Sequence, residues 1–355
     1  MKIGIILHPY GEEKPGGLGR AILELTRSLI AAYPEHEYLL FLKEKPRVAP
    51  VFQGNTRIVC LGWGLWWRER LRRAAPADVY LFNTPVLPLF FRPKKTVVIA
   101  LDCAYLHDRK KGLGLLARRI LLKAYHGFSL RRADRVIAIS RATKKDIINF
   151  FGIRDEHIVV AYLGIHDFGA SAEEECPVPK KFFLYVGVFK ERKNVGRIIG
   201  AFGRIADQLP EHHLVLAGKG EGAYAEKVCA MAHARGLKDR IHFAGYVTDG
   251  ELAYLYRRST ACVFPSIIEG FGFPVLEAMS AGAPVVTSNV SSLLEVAGDA
   301  AILVNPFSEE EIASAMTRLA TDEALRAECI RKGKKQSRLF SWENAAREFM
   351  NALLL

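Results

Sequence analysis

The chain has 355 residues, 50% of them hydrophobic, with 50 Lys/Arg against 38 Asp/Glu and a net charge of +12. That composition supports a sizeable core, and the length suits two domains of about 150–200 residues each. No apolar run reaches the ~18 residues of a membrane-spanning helix, and the six cysteines form no Cys-x-x-Cys pair, which sets aside a zinc ribbon or disulfide scaffold and fits reduced thiols in a cytoplasmic protein.

Residues 1–170 carry 28 Lys/Arg against 15 Asp/Glu, whereas residues 171–355 carry 22 against 23. The basic excess therefore belongs to the first half, where it suits an anionic partner such as phosphorylated lipid, membrane surface or nucleic acid. Residues 2–7 form an apolar run typical of a parallel strand buried on both faces, rather than a signal peptide. The loop that follows ends in Gly16 and Gly17, at the start of a helix with apolar positions Ala21, Ile22, Leu25 and Leu29. These glycines allow close backbone approach, but the Gly-x-Gly-x-x-Gly fingerprint is absent and a flexible turn explains them as well.

Strand-like runs recur at residues 38–42, 57–60, 79–82, 96–101 and 135–139, separated by helical patterns. The alternation predicts a parallel sheet flanked by helices. Two basic-apolar segments, residues 63–73 and 113–132, fit a helix in a lipid interface and fit equally a helix packed on the sheet with its polar side solvated. Ser140 reads as the N-cap of the helix after it. Small residues, the acidic run Glu173-Glu174-Glu175 and two prolines mark a linker at 169–180.

A second series of strands follows at residues 182–187, 214–217, 240–243, 261–264, 284–287 and 301–304, which predicts a second doubly wound domain. Its first turn places Arg192 and Lys193 at a helix start, where the dipole disfavours cations unless an anion lies between them. Glycine turns follow at Gly187 and Gly218, and Tyr246-Val247 precede Thr248, a candidate helix N-cap. The densest stretch is residues 265–284. There Gly270, Phe271 and Gly272 lead to Pro274, suited to a first helical position, which puts Glu277 in the first turn and Glu269 on the loop before it. Backbone N–H groups at such a loop favour a phosphate, and carboxylates beside them favour sugar hydroxyls.

The Glu269-x7-Glu277 pair in its Gly-Phe-Gly-Phe-Pro setting resembles the signature of the retaining glycosyltransferases of family 4 (group 1), and the resemblance extends over nearly the whole chain. It implies the α/β GT-B fold: two Rossmann-like doubly wound domains facing a cleft. These would be an acceptor domain at 1–168 joined by a returning C-terminal helix at 341–355, and a donor domain at 181–340. It implies that Arg192 and Lys193 grip the donor diphosphate, that Gly16 and Gly17 lie against donor phosphate and acceptor, and that Glu277 takes the ribose hydroxyls. Glu269 would hold the donor sugar. Asp102 matches one member of a His-Asp pair, but Leu101 stands where the His is expected, and His107-Asp108 is the nearest substitute. Gly187, Gly218, Tyr246, Val247, Gly270, Phe271 and Gly272 complete the expected donor-binding set.

The expected reaction is retaining transfer of a sugar, with mannose from GDP-mannose as one candidate donor, to a hydroxyl of a glycan or lipid-linked acceptor of the cell-envelope polysaccharide or lipopolysaccharide type. No metal and no cofactor beyond the nucleoside-diphosphate sugar are expected. The expected partners are donor, acceptor and an anionic membrane surface at the inner face, with no nucleic acid. A nucleotide-sugar epimerase of the same architecture and a non-catalytic binder of anionic polymer or membrane stay open as alternatives. A glycosidase using Glu269 and Glu277 leaves Arg192 and Lys193 without a task.

Overall fold

The computed structural model describes residues 1–7, 17–44, 52, 54–62, 64, 66–74, 76–107, 112–220 and 222–355. They divide into two compact units: Met1–Gly164 with Phe340–Leu355, and Ile165–Leu339.

The first unit contains β1 (Lys2–Ile6), α1 (Gly17–Ala32), β2 (Glu37–Leu42), β3 (Thr56–Cys60), β4 (Val79–Phe82), β5 (Thr96–Ala100), α2 (Ala104–His107), α3 (Leu113–Arg132), β6 (Arg135–Ala138), α4 (Arg141–Phe151) and β7 (Ile158–Val160). Among the described residues the strands form one parallel sheet in the order β3-β2-β1-β4-β5-β6-β7. Its central strands are buried residue after residue, as in Thr96-Val97-Val98-Ile99-Ala100, because helices cover both faces of such a sheet. Ser140 caps α4 as expected, its Oγ accepting from Thr143 N at 3.0 Å. The strand β7 was not anticipated; three residues, Ile158-Val159-Val160, are too few to carry a period.

The second unit contains β8 (Lys181–Val186), α5 (Val195–Ile205), β9 (His212–Ala217), α6 (Gly222–Ala234), β10 (Ile241–Gly245), α7 (Asp249–Arg258), β11 (Ala261–Phe264), α8 (Phe273–Ala281), β12 (Val285–Ser288), α9 (Ser291–Ala297), β13 (Ile302–Val304), α10 (Glu309–Thr321) and α11 (Glu323–Ser337). Its sheet is also parallel, in the order β10-β9-β8-β11-β12-β13. Each sheet thus grows one way from its first strand and then reverses. The reversal falls between β1 and β4 in one unit and between β8 and β11 in the other, and ligands of such sheets bind at the carboxyl ends beside that point. The apolar stripe Val195, Ile198, Ile199, Phe202 and Ile205 makes α5 a helix with one buried face.

The last helix, α12 (Trp342–Leu354), returns to the first unit and packs on α1. Ser341 caps it by accepting from Asn344 N, and Glu348 accepts from Tyr162 N at 3.1 Å. The Trp342 ring lies so close to Gly164 that a Cβ there would stand 2.4 Å away.

Two expectations need correction. The described part of 63–73 is not an amphipathic α-helix: Trp67–Arg73 is a 3-10 turn with Trp67 and Leu71 buried in the core, and Trp66 just before it is exposed. Trp63 and Leu65 lie outside the described residues. The acidic segment before β8 is pinned to the second unit. Arg257 donates to the carbonyls of Phe168, Gly169 and Ser171 and pairs with Glu173, and Thr248 donates to Glu174.

Candidate active site

The carboxyl ends of β8 and β11 bring the central group together. After β8 the chain runs into a short turn, Glu191–Lys193, and then through Asn194 into α5. Asn194 holds φ 65°, a left-handed conformation that asparagine tolerates better than most residues. Its buried amide donates to the carbonyls of Pro265 at 2.9 Å and Pro306 at 2.6 Å. The cation turn is thereby tied to the loop that leaves β11. That loop returns the bond: Ile267 N and Ser266 Oγ each lie 2.8 Å from the Arg192 carbonyl.

Glu269 stands where these two loops meet. Its Oε2 pairs with Arg192 Nη1 at 2.9 Å and its Oε1 with Lys193 Nζ at 2.6 Å, with Ser266 Oγ also 2.6 Å from Oε1. The carboxylate is 9% exposed, the Lys193 side chain 12% and Arg192 33%. Burial alone would raise the Glu269 carboxyl; Lys193 and then Arg192 outweigh it and hold the group below the usual carboxylate range. Behind it, Ser291 Oγ donates to the Glu269 carbonyl and accepts from its N–H, while Ser292 Oγ lies within bonding distance of the carbonyls of Glu269 and Phe271. Ser291 does this from φ 57°, a strained setting for a serine. The Lys193 ammonium also sits 4.9 Å above the Phe264 ring. The result is a rigid acid that fixes two cations side by side.

Gly270, Phe271 and Gly272 then lead into α8. Gly272 takes φ 134°, and a Cβ on it would stand 2.9 Å from Leu293. Pro274 occupies the second helical position and not the first, which moves Glu277 beyond the first turn. There Tyr256, fully buried on α7, donates its hydroxyl to Glu277 Oε2 at 3.2 Å and orients the carboxylate from below.

Glycines close the other side. Gly187 after β8 and Gly218 after β9 hold φ 143° and 137°, and a Cβ on Gly218 would stand 2.1 Å from the Gly187 carbonyl oxygen. Gly218 N donates to Gly245 at the end of β10, so three neighbouring strand ends form a bare backbone ledge. Beyond it Tyr246 is exposed and Val247 half-buried, and Thr248 forms a full capping box with Glu251.

The remaining candidates belong to the first unit. Gly17 opens α1, whereas Gly16 and Asp108 lie outside the described residues. Asp102 is exposed and accepts from Ala104 N at 3.1 Å, which starts the short α2. His107 pairs with Asp146 of α4 at 2.9 Å, not with Asp102. Sequence reasoning misses Asn194, Tyr256, Ser291 and Ser292, because each acts across 20 or more residues, and Ser266, which bonds Glu269 three residues on as well as the distant Arg192 carbonyl; Asn194, next to the two cations, and Ser266, close to Glu269, carry a local cue. Among the described residues no three His, Cys, Asp or Glu side chains converge as a metal-ligand set.

In comparisons with known proteins, one family model falls largely on each unit. The model described as "Glycosyltransferase Family 4" matches residues 15–167, and that described as "Glycosyl transferases group 1" matches residues 170–336. The chain is 33% identical over 248 residues to the O-antigen chain mannosyltransferase B of Escherichia coli, a match covering 67% of this chain and 64% of that one. It is 32% identical over 294 residues to the serotype-specific mannosyltransferase WbdA of Escherichia coli, covering 77% of this chain and 36% of the relative. The match thus spans less than two thirds of either relative's length.

Among solved structures, sucrose-phosphate synthase from Thermosynechococcus elongatus superposes with a TM-score of 0.80 at 20% identity, covering 99% of this chain and 97% of that one. Anabaena HepE, solved with UDP and glucose, gives 0.77 at 18% identity over 100% and 99%. Two Rossmann-like units, the fold shared with these structures, and two family models that together span most of its length make this chain a member of glycosyltransferase family 4, of the group 1 type and the GT-B fold.

Proposed function

We propose that the protein moves a hexose from a nucleoside-diphosphate sugar to a hydroxyl of a cell-envelope glycan or lipid-linked acceptor, with retention at the anomeric carbon and without a metal. The observation that carries the reading is the buried Glu269 carboxylate bridging Arg192 and Lys193 at the switch point of the second sheet. The hard step in such a transfer is departure of the diphosphate as negative charge builds on it. Cations already held in place stabilise that charge with no reorganisation when it forms. In this reading Arg192 and Lys193 receive the diphosphate, Glu269 fixes them and faces the sugar, and Glu277 receives the ribose hydroxyls. The glycine ledge lets the nucleotide approach the backbone.

Relatives named as O-antigen mannosyltransferases favour mannose as the sugar, and a neighbour solved with UDP and glucose favours a nucleotide donor in general. A donor panel of GDP-mannose and UDP- and ADP-sugars, assayed by nucleotide release in EDTA, tests the reading. GDP-mannose should turn over with acceptor, and Lys193→Ala should lower the rate about 10²–10³-fold with the fold intact. Full turnover by that variant removes Lys193 from the mechanism, and donor isomerisation without acceptor would point to the epimerase.

The partner surface in this reading is an anionic membrane at the cytoplasmic face. Leu115 and Leu121 on α3 are 51% and 70% exposed with Arg118 beside them, the combination that seats a helix at headgroup level. No described helix is long and apolar enough to cross a membrane. Flotation with acidic vesicles should carry the protein at low salt, and Leu121→Asp should reduce it.

A further inference from the structure

The most exposed large apolar side chain among the described residues is not on α3. Phe90 is 80% exposed, and the ring of Trp66, itself 54% exposed, stands 5.9 Å from it. The segment that carries Phe90 follows β4 and is fastened from two sides. From the 3-10 turn Trp67–Arg73, the Glu69 carboxylate accepts from Leu89 N and, at 3.2 Å, from Phe90 N. From α3, Arg132 Nη1 donates to the carbonyls of Pro88 and Leu89 at 2.9 Å each. Tyr125 donates its hydroxyl to the Leu87 carbonyl at 2.8 Å, and Ser129 Oγ accepts from Leu87 N at 3.0 Å. The loop thus buries Leu87, packs Phe91 against the core and holds Phe90 outward in one conformation. A ring fixed in advance loses little freedom when a partner covers it.

Cations flank the pair. Burial alternates from Phe90 to Lys94, which puts Arg92 on the outward side with Phe90. Residues three apart eclipse in a 3-10 turn, so Trp66, Glu69 and Arg72 form one stripe, with Glu69 N donating to the Trp66 carbonyl. Arg72 and Arg92 are exposed, and neither meets a carboxylate among the described residues. Residues 63–95 carry seven Lys/Arg and two acids, and both acids are engaged. Glu69 holds the two amides; Asp78 accepts from Lys2 N at 2.8 Å and lies 3.8 Å from Lys94.

From this we infer that Trp66 and Phe90 form a wedge that enters the headgroup layer of an anionic bilayer, with Arg72 and Arg92 on its phosphates. Charge complementarity selects the occupant. Sugar hydroxyls donate as well as accept and call for carboxylates or amides beside the rings; this patch offers donors alone, which match an acceptor-only phosphate. The rings protrude and line no pocket, so the surface suits a bilayer and not one enclosed lipid. The wedge also continues a face described above. Phe128, 38% exposed, stands seven residues beyond Leu121 on α3, and Arg132, which holds the Phe90 loop, lies 5.4 Å over the Phe128 ring. The inference rests on the membrane reading for the class of partner and deepens it by adding a second contact, made by inserted rings.

The test is binding of the full chain at low salt to vesicles of phosphatidylglycerol and, separately, of phosphatidylcholine. Wild type should bind the anionic vesicles at least about tenfold more tightly. Arg92→Gln should weaken that binding about fivefold, and Phe90→Ser about fivefold or more. Both side chains are exposed and stand in the first unit, away from the Arg192–Glu269–Lys193 group, so the thermal midpoint and nucleotide release should not change. Insertion itself is read from tryptophan emission: lipids brominated near the headgroup should quench wild type more than Trp66→Phe. Equal binding to both kinds of vesicle, wild-type affinity in the Phe90 and Arg92 variants, or equal quenching of wild type and Trp66→Phe would overturn the wedge. Retention on a neutral polysaccharide without vesicle binding would assign the rings to a glycan and overturn it too. Wild-type affinity in both variants with loss in Leu121→Asp removes the wedge and leaves α3 as the membrane contact. Normal nucleotide release with no vesicle binding at all sinks both contacts and leaves the transferase reading standing.

Discussion

Glu269 is a buried acid whose two oxygens are each matched to a cation, so its energetics follow from removing its charge while keeping its shape. Glu269→Gln leaves Arg192 and Lys193 facing a neutral amide. Because Arg192 is 33% exposed, the loss belongs at the low end for a broken buried pair, about 3 kcal/mol. The pH dependence has a definite sign. The folded carboxyl sits below its ordinary value, so the unfolded chain takes up the proton first. Its stabilisation is complete above about pH 5 and drains as pH falls through the folded value. Urea unfolding of wild type and Glu269→Gln should show a constant gap from pH 7 to about 5 that narrows below it; a gap unchanged at pH 3 contradicts the pairing.

Asn194 separates backbone from side chain in the same way. Asn194→Gly keeps the left-handed backbone but strands the carbonyls of Pro265 and Pro306, at about 1–3 kcal/mol. Asn194→Ala adds about 1 kcal/mol for φ 65°. Alanine should therefore be the less stable variant in thermal melts. The reverse order would mean that the left-handed backbone costs alanine nothing, and wild-type stability in the glycine variant would mean that the amide bonds hold nothing.

The strand ends after β8, β9 and β10 show which parts of the site can be read along a chain. Gly187 and Gly218 stand out in sequence because each closes an apolar run and opens a turn. What separates a glycine needed for its φ from one needed for its missing Cβ is the neighbouring strand, which lies about 30 residues away. Gly218→Ala drives a Cβ to 2.1 Å from the Gly187 carbonyl, against rigid backbone that cannot step aside. Gly245→Ala meets nothing within 4 Å and bears only its φ of 67°. The first should lower the unfolding free energy by several kcal/mol and the second by about 1 kcal/mol. Similar losses in chemical denaturation would show that the ledge yields.

The same reasoning explains the two segments read as interfacial. The pattern at 63–73 mixes large apolar residues with arginine as α3 does, yet Trp67 and Leu71 enter the core while the first half of α3 stays exposed. Hydrophobicity along a chain does not record which neighbour is at hand to cover it. Doubly buried strands escape that ambiguity, since apolar residues on both faces leave them one place to be, and the runs at 79–82, 96–100 and 261–264 were legible for that reason.

At the scale of the molecule, two sheets of the same order are closed by a chain that leaves the first unit at Gly164 and re-enters it at Phe340. The last helix is therefore part of the first unit's core, although 175 residues of the other unit (Ile165–Leu339) separate it from the rest. Phe349, Met350 and Leu353 are each at most 1% exposed, α12 lies along α1, and Trp342 fills the space that Gly164 leaves. At about 1.5–3 kcal/mol for each large apolar side chain buried, removing residues 340–355 forfeits roughly 5 kcal/mol or more, comparable with the whole stability of a domain. The loss falls on one unit only, because the Arg192–Glu269–Lys193 group and its serines belong wholly to the other. Calorimetry of the truncated chain should show the first unit's transition lost or shifted far down. The second unit's transition, recognised by its upward shift with added nucleoside diphosphate, should persist near its original temperature. Loss of both transitions together would mean that the units fold as one and that the second cannot hold its site alone; two surviving transitions would mean that α12 contributes little to the core it enters.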